Sequence, residues 1–140
     1  MHRASPKIRE FATRLIATET GKPSSEPDPP AASRVCEKLS VPLATLTGRA
    51  GFRALLSRAL ALASTEVAWL QGVEVKADFT LDGLEKRAQQ VDPAKIVEGQ
   101  VALVAQLLAL LVKFIGEKLT VGLVREAWPE LSFDDLDVGN

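Results

Sequence analysis

The sequence is poor in the residues that most enzymes use for chemistry. Its 140 residues include no Tyr and only one each of His, Cys and Asn. The His is His2 and the Cys is Cys36, so a Ser–His–Asp or Cys–His site lacks its residues or holds them at unsuitable places. A zinc site built from His and Cys lacks ligands for the same reason. We therefore expect no enzyme activity, no metal site and no cofactor.

Residues that favour strands are scarce beside those that favour helices. The chain has 20 Leu and 19 Ala against 13 Val and 4 Ile. Leu and Ala favour helices, whereas β-branched and aromatic residues favour strands. We predict an all-α protein, a compact bundle of five or six helices with one short extended or β segment near residues 73–81. At this length the core needs neither disulfides nor metal.

The chain lacks the marks of secretion and of a membrane protein. One Cys cannot form an intramolecular disulfide, which is typical of a reducing compartment. The first residues contain no apolar signal run. The strongest apolar run, 101–112, is interrupted by Gln106, and a membrane span takes about 20 apolar residues. We interpret the run as a core helix and predict a soluble, cytoplasmic protein with no membrane contact.

Charge gives no general attraction to nucleic acid, because the net charge is −1. Ala44 and Gly48 are spaced as in a helix-turn-helix, but the next helix would present Phe52, Leu55 and Leu56 where polar base-reading residues belong. Nucleic acid is therefore not an expected partner. Residues 1–58 hold ten Lys or Arg against five Asp or Glu, and residues 59–140 hold seven against thirteen. This asymmetry either indicates that one half packs on the other, or it has no structural meaning.

The pattern of prolines and apolar residues divides the chain into four parts. Residues 1–19 predict a tethered helix that docks through Ile8, Phe11 and Leu15. Residues 20–32 contain four prolines and predict a linker. Residues 33–130 predict the helical bundle, and residues 131–140 form an acidic tail. Within the bundle we predict helices at 33–48 (kinked or split at Pro42), 49–71, about 82–91, 93–118 and 120–128.

Residues 73–82 alternate between apolar and polar side chains, which is typical of a half-buried strand. The apolar members are Val73, Val75, Ala77, Phe79 and Leu81. No second strand signal is present. The segment either lies extended over the bundle or pairs with a second copy across a two-fold axis. A register centred near Val75 would set Glu74 opposite Lys76. After this segment, Asp82 and Glu85 have the spacing of a capping box.

Glu66 interrupts the apolar face of the helix predicted at 49–71. On a helical projection it falls between Leu55 and Ala59, so we expect it to be buried and paired, with Lys113 or Arg125 as partner. The alternative is a ligand-binding or proton-handling acid. The helix at 93–118 is apolar on one broad side and carries small residues on the other. It is either central to the bundle or faces a partner.

The leading hypothesis is a non-catalytic interaction protein, an adaptor or regulatory subunit that acts as a homodimer. Its partners would be a second copy of itself, with another protein as a further option. The second hypothesis is a helical ligand-binding or sensor domain with a pocket between the long helices and Glu66 as its polar anchor; an enzyme ranks third. The residues assigned to the interface are Val73, Val75, Ala77, Phe79, Trp128 and Phe133.

Overall fold

The computed structural model describes residues 6–20, 31–76, 79 and 81–129. Within them the chain forms six α-helices, a 3-10 turn at Ala68–Leu70 and one two-stranded antiparallel sheet. The all-α class and the helix count are therefore confirmed. The helices are α1 (Pro6–Thr20), α2 (Ala31–Thr47), α3 (Arg49–Glu66), α4 (Leu84–Ala88), α5 (Pro93–Ile115) and α6 (Glu117–Ala127), and the strands are β1 (Glu74–Val75) and β2 (Leu81–Asp82).

Helix α5 forms the centre of the bundle and contacts α1, α2, α3 and α6. Every residue from Gly99 to Leu108 is buried, including the polar side chains of Gln100 and Gln106. The side-chain oxygen Oε1 of Gln100 accepts a hydrogen bond from the Ala32 backbone N–H at 2.7 Å. Ala102 and Ala105 on one side of α5 therefore pack against other helices of the same chain, so the middle of this helix is central to the bundle.

By length and composition, α5 is also the one helix among the described residues that could cross a membrane. In the folded chain 67% of its most apolar window is buried inside the bundle. A helix at the centre of a bundle has the same length and composition, because it too is apolar on nearly all sides.

Helix α1 docks on its own chain, against α2 and α5. Phe11, Leu15 and Ile16 are buried, and Ile8 packs partly buried at the edge of the core. The docking predicted for Ile8, Phe11 and Leu15 is thereby confirmed. A fully buried Leu or Ile side chain contributes roughly 1.5–3 kcal/mol, so a few such contacts hold the helix in place. The proposed linker, apart from its ends, and the acidic tail lie outside the described residues.

Two glycines turn the chain between consecutive helices at the same end of the bundle. Gly48 (φ +80°) joins α2 to α3, and Gly116 (φ +90°) joins α5 to α6. Left-handed φ values strain any residue with a Cβ, so glycine permits both one-residue junctions. We predicted the first junction but extended α5 to residue 118. Thr120, where the last helix was predicted to begin, lies inside α6, and its hydroxyl donates to the Gly116 carbonyl at 2.8 Å.

The alternating segment forms a hairpin and not a single strand. Glu74 pairs with Asp82 and Val75 with Leu81 in an antiparallel register. The prediction of a strand without a partner in its own chain is therefore wrong, although the short β segment itself is confirmed. The chain reverses near Phe79, whose φ of 69° is uncommon for a bulky residue. No side-chain cap forms at Asp82, because Gly83 occupies the N-cap position of α4.

Helices α2 and α3 differ from the prediction in two ways. Helix α2 begins at Ala31 and continues through Pro42, so it is not split. Helix α3 ends at Glu66, earlier than predicted, because Val67 adopts an extended conformation and is followed by the 3-10 turn. This early end makes Glu66 the last residue of α3 and sets it beside α1 and α5.

Candidate functional site

The carboxylate of Glu66 joins three helices. Arg9 on α1 donates from Nη1 to Oε1 at 2.8 Å, and Gln106 on α5 donates from Nε2 to Oε2 at 3.1 Å. The Glu66 side chain is 9% exposed. A carboxylate this buried requires partners, since an isolated buried charge costs several kcal/mol. The prediction that Glu66 is largely buried and paired is confirmed.

The partners predicted for Glu66 are wrong. Lys113 and Arg125 are both exposed on the outside of α5 and α6. Arg9 replaces them because α1, which comes much earlier in the chain, packs on α5 and carries its guanidinium to the end of α3. A ligand-binding role for Glu66 stays a prediction.

A second buried carboxylate, Glu19 at the end of α1, is held by α2 and by the residue that follows α6. Its Oε2 accepts from Lys38 Nζ at 2.7 Å and from Trp128 Nε1 at 2.8 Å. Arg34 lies 3.9 Å from Oε1 and also donates to the Glu19 backbone carbonyl. Lys38 Nζ is 5.6 Å from the centroid of the Trp128 ring. This Glu19 cluster joins the C-terminal end of α1 and the residue after α6 to α2.

Local sequence patterns do not indicate the Glu19 cluster. Glu19 follows the last apolar residue of an amphipathic helix, where a carboxylate is usually exposed. The available signal was Trp128: a buried indole N–H needs an acceptor, and a carboxylate is a strong one. Trp128 is fully buried within its own chain. It was assigned to an interface, and the structure places it in the core.

The other interface residues of the described chain also pack inside it. Val73, Val75 and Phe79 are each buried, and β1 lies against α3. Phe79 meets Phe52 edge to face, with ring centroids 5.0 Å apart. Ala77 and Phe133 lie outside the residues whose side chains are described. These buried side chains offer little surface for a contact between two copies.

Cys36 is fully buried on the core face of α2. Burial raises the pKa of its thiol from 9.0 to about 12, because the charged thiolate loses its hydration there. The thiolate is the nucleophilic form of cysteine, so Cys36 behaves as an apolar core residue.

We expect Cys36 to resist alkylation by iodoacetamide at pH 8 in the native protein and to react completely in guanidinium chloride. Mass spectrometry of the alkylated chain measures this. The unfolded chain loses the Cys36 thiol proton near pH 9, whereas the folded chain keeps it until about pH 12. The free energy of unfolding should therefore be highest below pH 9 and fall as the pH rises from 9 towards 12. Rapid modification of the native protein would show that the thiol is accessible, contrary to its burial.

Two grooves flank α3. The first, called here the α3–α5 groove, has a volume of about 390 Å³ and lies at the end of the bundle that carries the two glycine junctions. The second, between α3 and the hairpin, has a volume of about 370 Å³ and includes Arg53, Ser57, Ser64 and Glu74. The α3–α5 groove is lined by Thr47, Gly51, Ala54, Leu55, Arg58, Phe114 and Ile115. Neither groove is lined by Glu19, Glu66 or Cys36.

Large apolar side chains are exposed around the α3–α5 groove. Phe114, which lines the groove, is 67% exposed. Leu46 precedes the groove residue Thr47 and is 52% exposed, and Leu119 lies in the first turn of α6 and is 43% exposed. We call Leu46, Phe114 and Leu119 together with the groove the apolar end. An exposed aromatic ring beside an apolar groove marks an interaction site more often than scattered apolar residues do.

Comparison with known proteins adds no family to this description. The chain matches no protein-family model, no curated protein and no solved structure. Among the described residues, no group of three or more His, Cys, Asp or Glu side chains is placed to hold a metal ion.

Proposed function

We propose that this protein is a non-catalytic interaction protein, an adaptor or regulatory subunit of the cytoplasm, and that it acts as a homodimer. One observation carries the proposal: the apolar end of the bundle leaves the Phe114 ring 67% exposed beside an apolar groove. Aromatic side chains in such positions are typical anchors of protein interfaces. A second copy of the chain is the simplest partner, because most oligomers of soluble proteins are symmetric dimers.

The interior of the protein supports a binding role over a catalytic one. The two buried carboxylates, Glu19 and Glu66, both accept hydrogen bonds from side chains of neighbouring helices. Each therefore has a structural role in joining helices. The sensor alternative depends on a pocket that reaches Glu66. The two grooves beside α3 do not supply one, so no observation favours that alternative over the interaction protein.

Sedimentation equilibrium of the native chain between about 1 and 100 µM tests this proposal. We expect a concentration-dependent mass that approaches twice the 15.1 kDa of the chain, since symmetric association is second order in protein. Added salt should change the dissociation constant only slightly, because an apolar contact is not screened. A mass of one chain throughout this range would overturn the homodimer.

A further inference from the structure

Two polar residues, Thr47 and Arg58, interrupt the apolar lining of the α3–α5 groove. The largest apolar members of this lining are Leu55 on α3 and Phe114 and Ile115 on α5. The Thr47 hydroxyl donates to a backbone carbonyl of its own helix at 2.8 Å, so its proton is already used. The guanidinium of Arg58 is therefore the donor that this lining offers to a bound molecule.

Arg58 differs from the other two arginines of α3. Arg53 donates to the Val75 carbonyl at 3.2 Å, and the guanidinium of Arg49 lies 4.8 Å from the centroid of the Phe79 ring. Both of these arginines contact the hairpin, on the other flank of α3. The side chain of Arg58 forms no ion pair and no hydrogen bond with any residue that the structure describes. An unpaired guanidinium beside an apolar groove is complementary to an anion that carries an apolar chain.

The size of the groove limits the length of that chain. Its volume of about 390 Å³ lies near the lower end of the range of about 300–1,000 Å³ that is usual for ligand pockets. The same volume holds about 13 groups the size of a water molecule, at about 30 Å³ each. A methylene group is of similar size. The groove therefore accommodates a linear chain of about ten carbons with a small head group.

The charge at Arg58 selects the head group. A carboxylate carries one negative charge and accepts two parallel hydrogen bonds from a guanidinium. A phosphate monoester carries nearly two negative charges at neutral pH, and a single arginine would leave one of them uncompensated. A carboxylate is thus the better match for the one unpaired cation of this lining.

We infer that the α3–α5 groove binds a medium-chain fatty acid, with the alkyl chain against Leu55, Phe114 and Ile115 and the carboxylate on Arg58. This inference goes beyond the proposed function and does not rest on it, because a single chain contains the whole site. The exposed residues Leu46 and Leu119 do not line the groove, so they stay open to a second copy.

Isothermal titration calorimetry of the native chain with decanoate tests the inference. We expect one decanoate to bind per chain. From hexanoate to decanoate the affinity should rise about two- to fourfold for each added methylene, because each one leaves water in the groove. Decylamine has the same chain with a positive head group and should bind at least about tenfold more weakly than decanoate, because Arg58 repels it.

Two substitutions in the groove, each with a matched control, locate the site. Arg58→Gln should weaken decanoate binding about tenfold, because it removes the charged partner of the carboxylate, and Arg58→Lys should restore part of the affinity. Phe114→Ala should also weaken binding about tenfold, because it removes an apolar wall. Lys86→Gln and Leu119→Ala remove a charge and an apolar side chain that do not line the groove, so each should change the affinity by no more than about twofold.

All four substituted positions are exposed, so the variants should fold, and circular dichroism checks this. Decanoate binding that Arg58→Gln and Phe114→Ala leave unchanged, or that the controls weaken equally, would overturn the inference. Sedimentation equilibrium of the same samples reports the homodimer separately. Failure of decanoate to bind a wild-type chain that sediments as a dimer would assign the groove to the second copy. Failure to bind a monomer would leave the groove without a fatty acid; both results overturn the inference.

Discussion

Replacing Trp128 by Ala is expected to lower the free energy of unfolding by about 3–5 kcal/mol. Trp128 is fully buried, and its indole donates to Glu19 Oε2 at 2.8 Å. The substitution opens a cavity between α6 and α2 and removes a hydrogen bond to a charged group. Since domains of this size are stable by only about 5–15 kcal/mol, the loss should be plain in a urea titration.

Trp128→Phe separates the two contributions. Phe fills most of the cavity but cannot donate a hydrogen bond, so we expect a loss of about 1.5–3 kcal/mol, the usual value for a hydrogen bond to a charged group. Lys38 remains at 2.7 Å from the same carboxylate oxygen and keeps it partly satisfied. If urea titration gives Trp128→Ala and Trp128→Phe free energies of unfolding within about 1 kcal/mol of wild type, the Glu19 cluster does not stabilise the packing of α1 and Trp128 on α2.

Replacing Phe52 by Ala should have an effect of the same size, about 3–5 kcal/mol. Phe52 is fully buried in α3 and supports the hairpin through its edge-to-face contact with Phe79. Its removal should also speed hydrogen exchange at the backbone amides of the strands, because the hairpin loses the ring on which it packs. Chemical unfolding and amide exchange of the variant measure the two effects.

A double-mutant cycle isolates the ring contact. If Phe52 and Phe79 stabilise each other directly, then Phe52→Ala and Phe79→Ala together should cost about 0.5–1.5 kcal/mol less than the sum of the single costs. Strictly additive losses would show that the two rings are buried independently. The hairpin would then depend on other contacts, such as Arg53, which donates to the Val75 carbonyl at 3.2 Å.

Local signals in the sequence predicted most of the helices. Asp92 and Pro93 predicted the start of α5, because Asp is a favoured N-cap and proline suits the first helical position. Gly48 predicted the end of α2. Gly116 was missed because the apolar pattern continues on both sides of it, through Ile115 and Leu119. A glycine within an uninterrupted periodic pattern gives no sign of whether the helix turns there.

The hairpin was missed for a similar reason. One long strand and two short paired strands both require apolar residues at every second position from Val73 to Leu81, because in both cases one face is buried. The alternation therefore does not distinguish between them. Of the residues that usually mark a reversal (Gly, Pro, Asn, Asp and Ser), the segment between the two strands contains only Asp78. Instead Phe79 adopts the positive φ, and its ring packs on Phe52. Tertiary packing, and not local propensity, selects this turn.

The candidate site was predictable only in part. Glu66 could be found because a carboxylate within an apolar stripe is conspicuous. Its partner Arg9 could not, because the docking of α1 depends on contacts far apart in sequence. The α3–α5 groove depends on how α3 and the end of α5 meet, and the exposure of Phe114 follows from that meeting. Periodicity alone places Phe114 on the apolar side of its helix.

An isotope-filtered NOE experiment on the wild-type dimer tests the proposed contact at the apolar end most directly. One preparation is uniformly labelled with ¹³C and mixed with an unlabelled preparation, so that an NOE between a ¹³C-bound and a ¹²C-bound proton arises only between copies. We predict intermolecular NOEs to the Phe114 ring, and none from Ala61. A dimer that shows no NOE between copies at Phe114, or shows its contacts at the hairpin, would contradict the account.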